Sequence, residues 1–258
     1  MQTNKKDVLL RYEKFSVGKG KQCILAPLSL CLHAHEVLAI VGESGAGKST
    51  TLRAALALLT PEVHVSGKIS LLSKDIFSLS AKERRALYGT QIAFLQQNPA
   101  QIWNPLRTLG AQFRDVFFAH GKKEFWPERA IHAFRACNLS EVLLHRYPFE
   151  LSGGQQQRAA FALTTILSPT VLLADEPTSA LDALVAKQLL DQMRHYADMG
   201  KGVLFVTHKL RAAAYIADTI GVMRAGKIIE TGSAHELCQR PKQAYTQELL
   251  RASSLLHP

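Results

Sequence analysis

A chain of 258 residues, 47% of them hydrophobic, can bury the core of one domain with a lobe or of two small domains, which excludes a disordered polypeptide. No apolar run approaches the roughly 18–20 residues of a membrane-spanning helix, and the start MQTNKKDVLL lacks the apolar middle of a secretory signal, so a soluble, cytoplasmic protein is expected. The 31 Lys and Arg against 21 Asp and Glu give a formal charge of +10, suited to an anionic partner or to a solvated basic surface; the scattered pairs Lys5-Lys6, Arg84-Arg85 and Lys122-Lys123 lack the interleaved aromatics of a nucleic-acid groove.

In chain order, the first 35 or so residues alternate with period two. Leu28, Leu30 and Leu32 stand against Ser29, Cys31 and His33, which predicts half-buried antiparallel strands. His33 and His35 flank a surface turn ahead of Glu36 and have no further ligands at metal spacing. Cys23, Cys31, Cys137 and Cys238 form no CxxC pair, so reduced, mostly buried thiols are expected. Val37 to Val41 is a continuous apolar run, read as a strand buried on both faces. It is followed by Gly42-Glu43-Ser44-Gly45-Ala46-Gly47-Lys48-Ser49 and then by a helix, STTLRAALALL, running to Leu59.

That octapeptide fits G-x-x-x-x-G-K-[ST] in the strand-loop-helix context the motif requires. Glycines let the backbone curl so that N–H groups and a helix N-terminus, up to Thr50, converge on phosphate oxygens. Lys48 adds a charge for the β- and γ-phosphates, and Ser49 an oxygen for Mg²⁺. ATP and Mg²⁺ are the ligands expected here.

From Gly89 to Leu167 the sequence lacks strand runs and is expected to form loops and helices. Val171 to Ala174 is a second buried strand, delivering Asp175 and Glu176 at the sheet edge where ligands of parallel sheets bind. Asp175 is expected to hold Mg²⁺, and Glu176 to take a proton from an attacking water. Val185, Leu189, Met193 and Tyr196 lie at helical spacing and Gly200 stops that helix. Val203 to Val206 is a third buried strand, and Ala225-Gly226 is a hairpin turn before a helical tail through Leu250. Buried strands alternating with helices predict an α/β fold on a mostly parallel sheet.

Leu151-Ser152-Gly153-Gly154-Gln155, just before the second strand, resembles the LSGGQ signature of the ABC ATPases. The resemblance covers nearly the whole chain: Gln97 matches the Q-loop, Ser179-Ala180-Leu181-Asp182 the D-loop, and His208 the switch histidine. Alone, Gln97 also fits a loop amide, His208 a satisfied core histidine and Asp182 a helix cap. The resemblance implies a P-loop NTPase of ABC type: one domain over 1–258, with a nucleotide-binding α/β lobe (1–88 and 168–258), an N-terminal antiparallel β part, and an inserted helical lobe (89–167). It implies catalytic roles for Glu176, His208 and Gln97, metal contacts from Ser49, Gln97 and Asp175, and a head-to-tail dimer in which Ser152, Gly153, Gly154 and Gln155, with Asp182, meet nucleotide held by the other subunit.

Ile92-Ala93-Phe94-Leu95-Gln96-Gln97-Asn98-Pro99 with Trp103-Asn104-Pro105 is similar to the Q-loop region of oligopeptide, dipeptide and nickel importer ATPases. So are Val65-Ser66-Gly67, Glu83-Arg84-Arg85 and Pro241 with Ala244-Tyr245-Thr246. The short chain resembles the nickel-type members and lacks the cysteine-rich extension of some peptide-type ones. This narrower resemblance implies an ATP-hydrolysing importer subunit, peripheral on the cytoplasmic face of the membrane. Its partners would be two membrane-spanning permease subunits, a second ABC ATPase and, indirectly, an extracytoplasmic solute-binding protein. No nucleic acid is expected; an ABC-type ATPase of DNA or the ribosome is the alternative, but such proteins carry long insertions for which this chain has no room. Three positions depart from the pattern: Lys19 stands where an aromatic usually stacks on adenine, with Tyr12 and Phe15 read as strand residues, and Asn98 and Lys209 stand where aspartates are common.

Overall fold

The alternating first segment folds as a hairpin of β1 (Val8–Lys19) and β2 (Gln22–His33), in an antiparallel register that sets Leu32 opposite Leu10 and Leu28 opposite Phe15. Leu28 and Leu32 are buried and Ser29 is exposed, so the alternation marks a sheet with one covered face. The computed structural model describes residues 7–98, 101–122 and 126–253; Lys5, Lys6, Pro99 and Lys123 lie outside the described residues. Of the four thiols only Cys137 is buried, and Cys23 is exposed, contrary to the expectation of mostly buried cysteines. Cys23 lies at the start of β2, an edge strand of its sheet.

β3 (Glu36–Val41) is buried at every position. Its Val37, Ala39 and Val41 enter one hydrophobic core, and Leu38 and Ile40 enter another across the sheet, which explains an apolar run without alternation. The helix that follows the glycine loop, α1 (Lys48–Ala55), stops about a turn short of the expected Leu59. Ala57 takes a left-handed φ of 51°, Ala57 N–H donates to Ala54 O at 2.9 Å, and Leu58 N–H donates to Arg53 O at 2.9 Å. This is a Schellman closure made by an alanine where glycine is usual, so composition gave no stop signal.

β4 (His64–Leu71) and β5 (Lys74–Asp75) complete a four-stranded antiparallel sheet in the order β2-β1-β4-β5. α2 (Ala81–Leu87) starts from a reciprocal Ser80–Glu83 capping box. β6 (Ile92–Leu95) corrects the reading of 89–167 as free of strands, since it pairs in parallel with a later core strand, Ile92 opposite Val171. A four-residue run running straight into two glutamines is too short to separate from a buried helix turn by pattern. The helical segment therefore begins after Leu95, with α3 (Leu109–Ala119), α4 (Trp126–Ala136) and α5 (Gly153–Thr165). Its core holds Phe113, Phe117 and Phe134, each fully buried, and the rings of Phe113 and Phe134 meet edge to face at 5.2 Å.

β7 (Val171–Asp175), α6 (Ala183–Asp198), β8 (Gly202–Thr207), α7 (Leu210–Ile216), β9 (Thr219–Arg224), β10 (Lys227–Ser233), α8 (Ala234–Gln239) and α9 (Ala244–Ala252) complete the chain. The second sheet has six strands in the order β10-β9-β3-β8-β7-β6. It is parallel except for β10, which returns antiparallel on β9 through the Ala225-Gly226 turn. The fold is α/β, a mostly parallel core with an antiparallel N-terminal sheet and a helical segment inserted after β6. The loops that follow β3, β7 and β8 leave from one edge of the sheet, the edge at which parallel sheets bind ligands.

Candidate functional site

The loop after β3 curls because its glycines cannot be replaced. A Cβ on Gly42 would lie 2.1 Å from the Met223 carbonyl oxygen of β9, and Gly47, at φ 103°, caps the N-terminus of α1. Lys48, only 6% exposed, donates to the carbonyls of Gly42 (2.8 Å) and Glu43 (2.9 Å) and lies 3.8 Å from Glu176. Burial pushes its ammonium pKa down, opposed by the Glu176 and Asp175 carboxylates.

From the ends of β7 and β8 come the facing groups. Asp175 is buried and accepts from Ser49 Oγ at 2.9 Å. Burial raises its carboxyl pKa, the Ser49 hydrogen bond works against that, and the neighbouring Glu176 charge adds to it. Glu176 has a left-handed backbone, φ 46°, unusual for a side chain of its size and typical of functional turns. Its Oε2 lies 2.8 Å from His208 Nδ1 and accepts from Thr207 Oγ1 at 3.4 Å. Gln97, after β6, points its amide nitrogen at Ser179 Oγ, 3.5 Å away. Lys209 replaces the expected acidic residue with a bond of its own, donating to Thr178 O at 2.8 Å and so tying the segment after β8 to the loop after β7.

Ser44, Gly45, Gly47, Lys48, Ser49, Thr50, Gln97, Glu176 and His208 thus line one cleft of about 550 Å³. Gly42 and Ala46 are buried beneath it, and Glu43 is exposed at its entrance. The Ser49 hydroxyl and Asp175 carboxylate are hard oxygen donors held together, with a charge whose burial a cation would offset, so the donor set fits Mg²⁺ shared with phosphate oxygens. Among the described residues no group of three His, Cys, Asp or Glu is placed to hold a metal by itself, and the His33 ring is engaged with Glu36 at 2.8 Å.

Ser152, Gly153, Gly154, Gln155 and Asp182 are not brought to this cleft. Ser152 caps α5 in a reciprocal box with Gln155, Gly153 has open space around it, and Gly154 packs against Val185 of α6. Asp182 caps α6 by accepting from Val185 N–H at 2.9 Å. At the base end, Tyr12 is buried and donates to Thr51 O at 2.8 Å, Phe15 is fully buried, and Lys19 pairs with Glu62. Sequence reading missed Ile24, which lines the cleft from β2, and Gly226, whose N–H donates to Ala46 O at 2.9 Å beneath the loop. The glycine in the Ala225-Gly226 turn was visible, but its contact across 180 positions was not.

The family model described as ABC transporter matches residues 25–179. The chain is 34% identical over 248 residues to the oligopeptide transport ATP-binding protein of Lactococcus lactis subsp. cremoris (93% of this chain, 72% of that one). It is 35% identical over 256 residues to the dipeptide transport ATP-binding protein of Escherichia coli K12 (95% and 78%). Among solved structures, an ATP-binding cassette captured as a dimer after hydrolysis, with ADP and phosphate, superposes with a TM-score of 0.76 at 26% identity, covering 88% of this chain and 99% of that one. The cbiO1 subunit of a Clostridium perfringens ABC transporter shares the fold, with a TM-score of 0.79 at 24% identity over 98% and 97% of the two chains. With these matches spanning the phosphate loop, the signature segment and the Asp175-Glu176 strand end, the chain belongs to the ABC transporter family as its ATP-binding, ATP-hydrolysing subunit.

Proposed function

We propose that the chain binds ATP with Mg²⁺ in the cleft between the loops after β3, β7 and β8, and hydrolyses it as half of a head-to-tail pair that powers peptide import. The single observation that carries this reading is the convergence of Lys48, Ser49, Asp175, Glu176, Gln97 and His208 from four separate segments on one sheet edge. Lys48 and the loop amides bind the phosphates. Ser49 and Asp175, with Gln97, would hold Mg²⁺, which would supply charge neutralisation to the phosphates. Glu176 Oε2 accepts the proton of the attacking water, and His208, 2.8 Å from that oxygen, orients the carboxylate and senses the γ-phosphate.

The signature residues support the pairing: Ser152, Gly153 and Gly154 open α5 with free space at Gly153, away from the chain's own cleft, as a surface offered to a second subunit's nucleotide would be. The partner is a second ABC ATPase, the same chain or a different one. Two permease subunits supply the membrane passage in this reading; no helix among the described residues is long and apolar enough to cross a membrane. The chain then sits peripherally on the cytoplasmic face, with a solute-binding protein acting on the far side.

The two relatives reported above, at 34% and 35% identity, are named for oligopeptide and dipeptide transport, and this supports a peptide as the solute over nickel or a metal chelate. The test is recovery from native membranes of the Glu176→Gln variant with ATP, followed by uptake assays. Co-purification of multispan chains and loss of peptide uptake on deletion support the reading. Recovery of ribosomes or DNA without them contradicts it, and loss of nickel uptake with peptide uptake intact overturns the solute.

A further inference from the structure

The C-terminal part of the chain touches the phosphate loop at a point to which the roles above assign no function. Tyr245, in the first turn of α9 and 9% exposed, places its hydroxyl oxygen where it accepts from the backbone N–H of Glu43 at 3.0 Å, across 202 positions of sequence. Its ring packs under the Arg224 guanidinium, 4.7 Å from the ring centroid. The start of α9 is itself pinned by Glu230 of β10, whose carboxylate accepts from Lys242 N–H (2.8 Å), Gln243 N–H (3.1 Å) and Thr246 Oγ1 (2.6 Å). Glu230, Tyr245 and Glu43 therefore form one mechanical line from the last hairpin to the entrance of the loop.

A loop amide is of use to a phosphate only if the peptide plane carrying it is fixed; Glu43 is exposed and lies in no strand or helix, and besides Tyr245 its segment is held by Lys48 through the Gly42 and Glu43 carbonyls. We propose that Tyr245 is a positioning residue for the phosphate loop: by accepting from Glu43 N–H it sets the first peptide of the loop, and it makes ATP affinity depend on the docking of the C-terminal helix. Tyr245 lines no part of the cleft, so its effect falls on binding rather than turnover. The inference rests on the reading of residues 42–49 as the phosphate cradle.

Tyr245→Phe is the discriminating change because it keeps the ring, its burial and the Arg224 contact and removes only the acceptor. ATP binding to the full-length chain and kcat and KM of the assembled complex are measured for Tyr245→Phe, Glu230→Gln, the double variant and a Lys48→Ala control. The loss of one net hydrogen bond predicts about fivefold weaker ATP binding and a matching rise in KM for Tyr245→Phe, with kcat retained and the thermal midpoint lowered by only about 2–4 °C. Glu230→Gln shifts KM the same way, and the double variant adds less than the sum of the two, because both act through one line of contacts. ATP binding by Tyr245→Phe equal to the unsubstituted chain, or a loss confined to kcat, overturns the proposal while Lys48→Ala still abolishes binding. Unaltered ATP binding by Lys48→Ala overturns the phosphate-site reading itself.

Discussion

Asp175 is buried with its charge opposed by desolvation and by the neighbouring Glu176, and the Ser49 hydroxyl, with the more distant Arg53 and Lys48 charges, eases it only in part. A carboxylate so placed costs stability until a cation joins it. Asp175→Asn is therefore expected to raise the thermal midpoint of the nucleotide-free chain by about 2 °C or more and to abolish the further rise given by ATP with Mg²⁺. Calorimetry of both forms with and without nucleotide checks this; a lowered midpoint for the variant contradicts it. At the base end, Tyr12 and Phe15 are locked in the core, and among the described residues only the aliphatic Ile24 lines the cleft from that side, so no ring from β1 is placed to stack on adenine. GTP is expected to compete with ATP at similar concentration, and strong selectivity for ATP in a competition titration would refute that. The residues of the candidate phosphate site were legible because Lys48 comes after one unbroken buried strand and Asp175 and Glu176 stand at the end of another. Ile24 was not, since its place in the cleft depends on how two sheets stack.

Among the elements, those with a strong period or a local signal were readable: the hairpin from alternation, β3, β7 and β8 from continuous apolar runs, α6 from helical spacing with Asp182 and Gly200 at its ends. The Ser80–Glu83 capping box that starts α2 was not read from the sequence. β6 was hidden because only four residues report it, β4 because its first five positions are exposed, and the stop of α1 because Ala57 takes the left-handed place. The strand β9 sets a hard limit on the loop above it. Gly42→Ala would drive a Cβ into the Met223 carbonyl, a backbone atom that cannot swing aside, and is expected to cost about 2–3 kcal/mol in denaturant unfolding and to remove ATP binding. At the other end of the chain, hydrogen bonds from Lys242, Thr246 and Gln243 outweigh the burial that pushes Glu230 up, and hold its pKa below the usual glutamate range. Its contribution to docking α9 is complete above the ordinary glutamate pKa and fades as pH falls through the lowered one. Protection of α9 amides from hydrogen exchange is expected to drop over that acid window in the unsubstituted chain and to be low throughout in Glu230→Gln; equal protection in both would count against it.

For the whole molecule, the two faces of the six-stranded sheet carry separate cores, one toward the antiparallel sheet and α1, the other toward α6 and the helical segment. The nucleotide cleft belongs to the shared edge of the sheet, while Ser152 to Gln155 sit at the start of α5 in the helical segment. In the proposed reading one chain presents two half-sites in different places, from which a head-to-tail pair would follow. That division was legible as motif order, but its meaning came from resemblance, because spacing in sequence does not say which half-site faces which chain. The measurement that tests the account most directly is ATP hydrolysis by the membrane-assembled complex carrying Glu176→Gln beside the unsubstituted complex. Hydrolysis is expected to fall about tenfold or more, with ATP still bound and the ATPase pair held closed. Hydrolysis at the unsubstituted rate would contradict it.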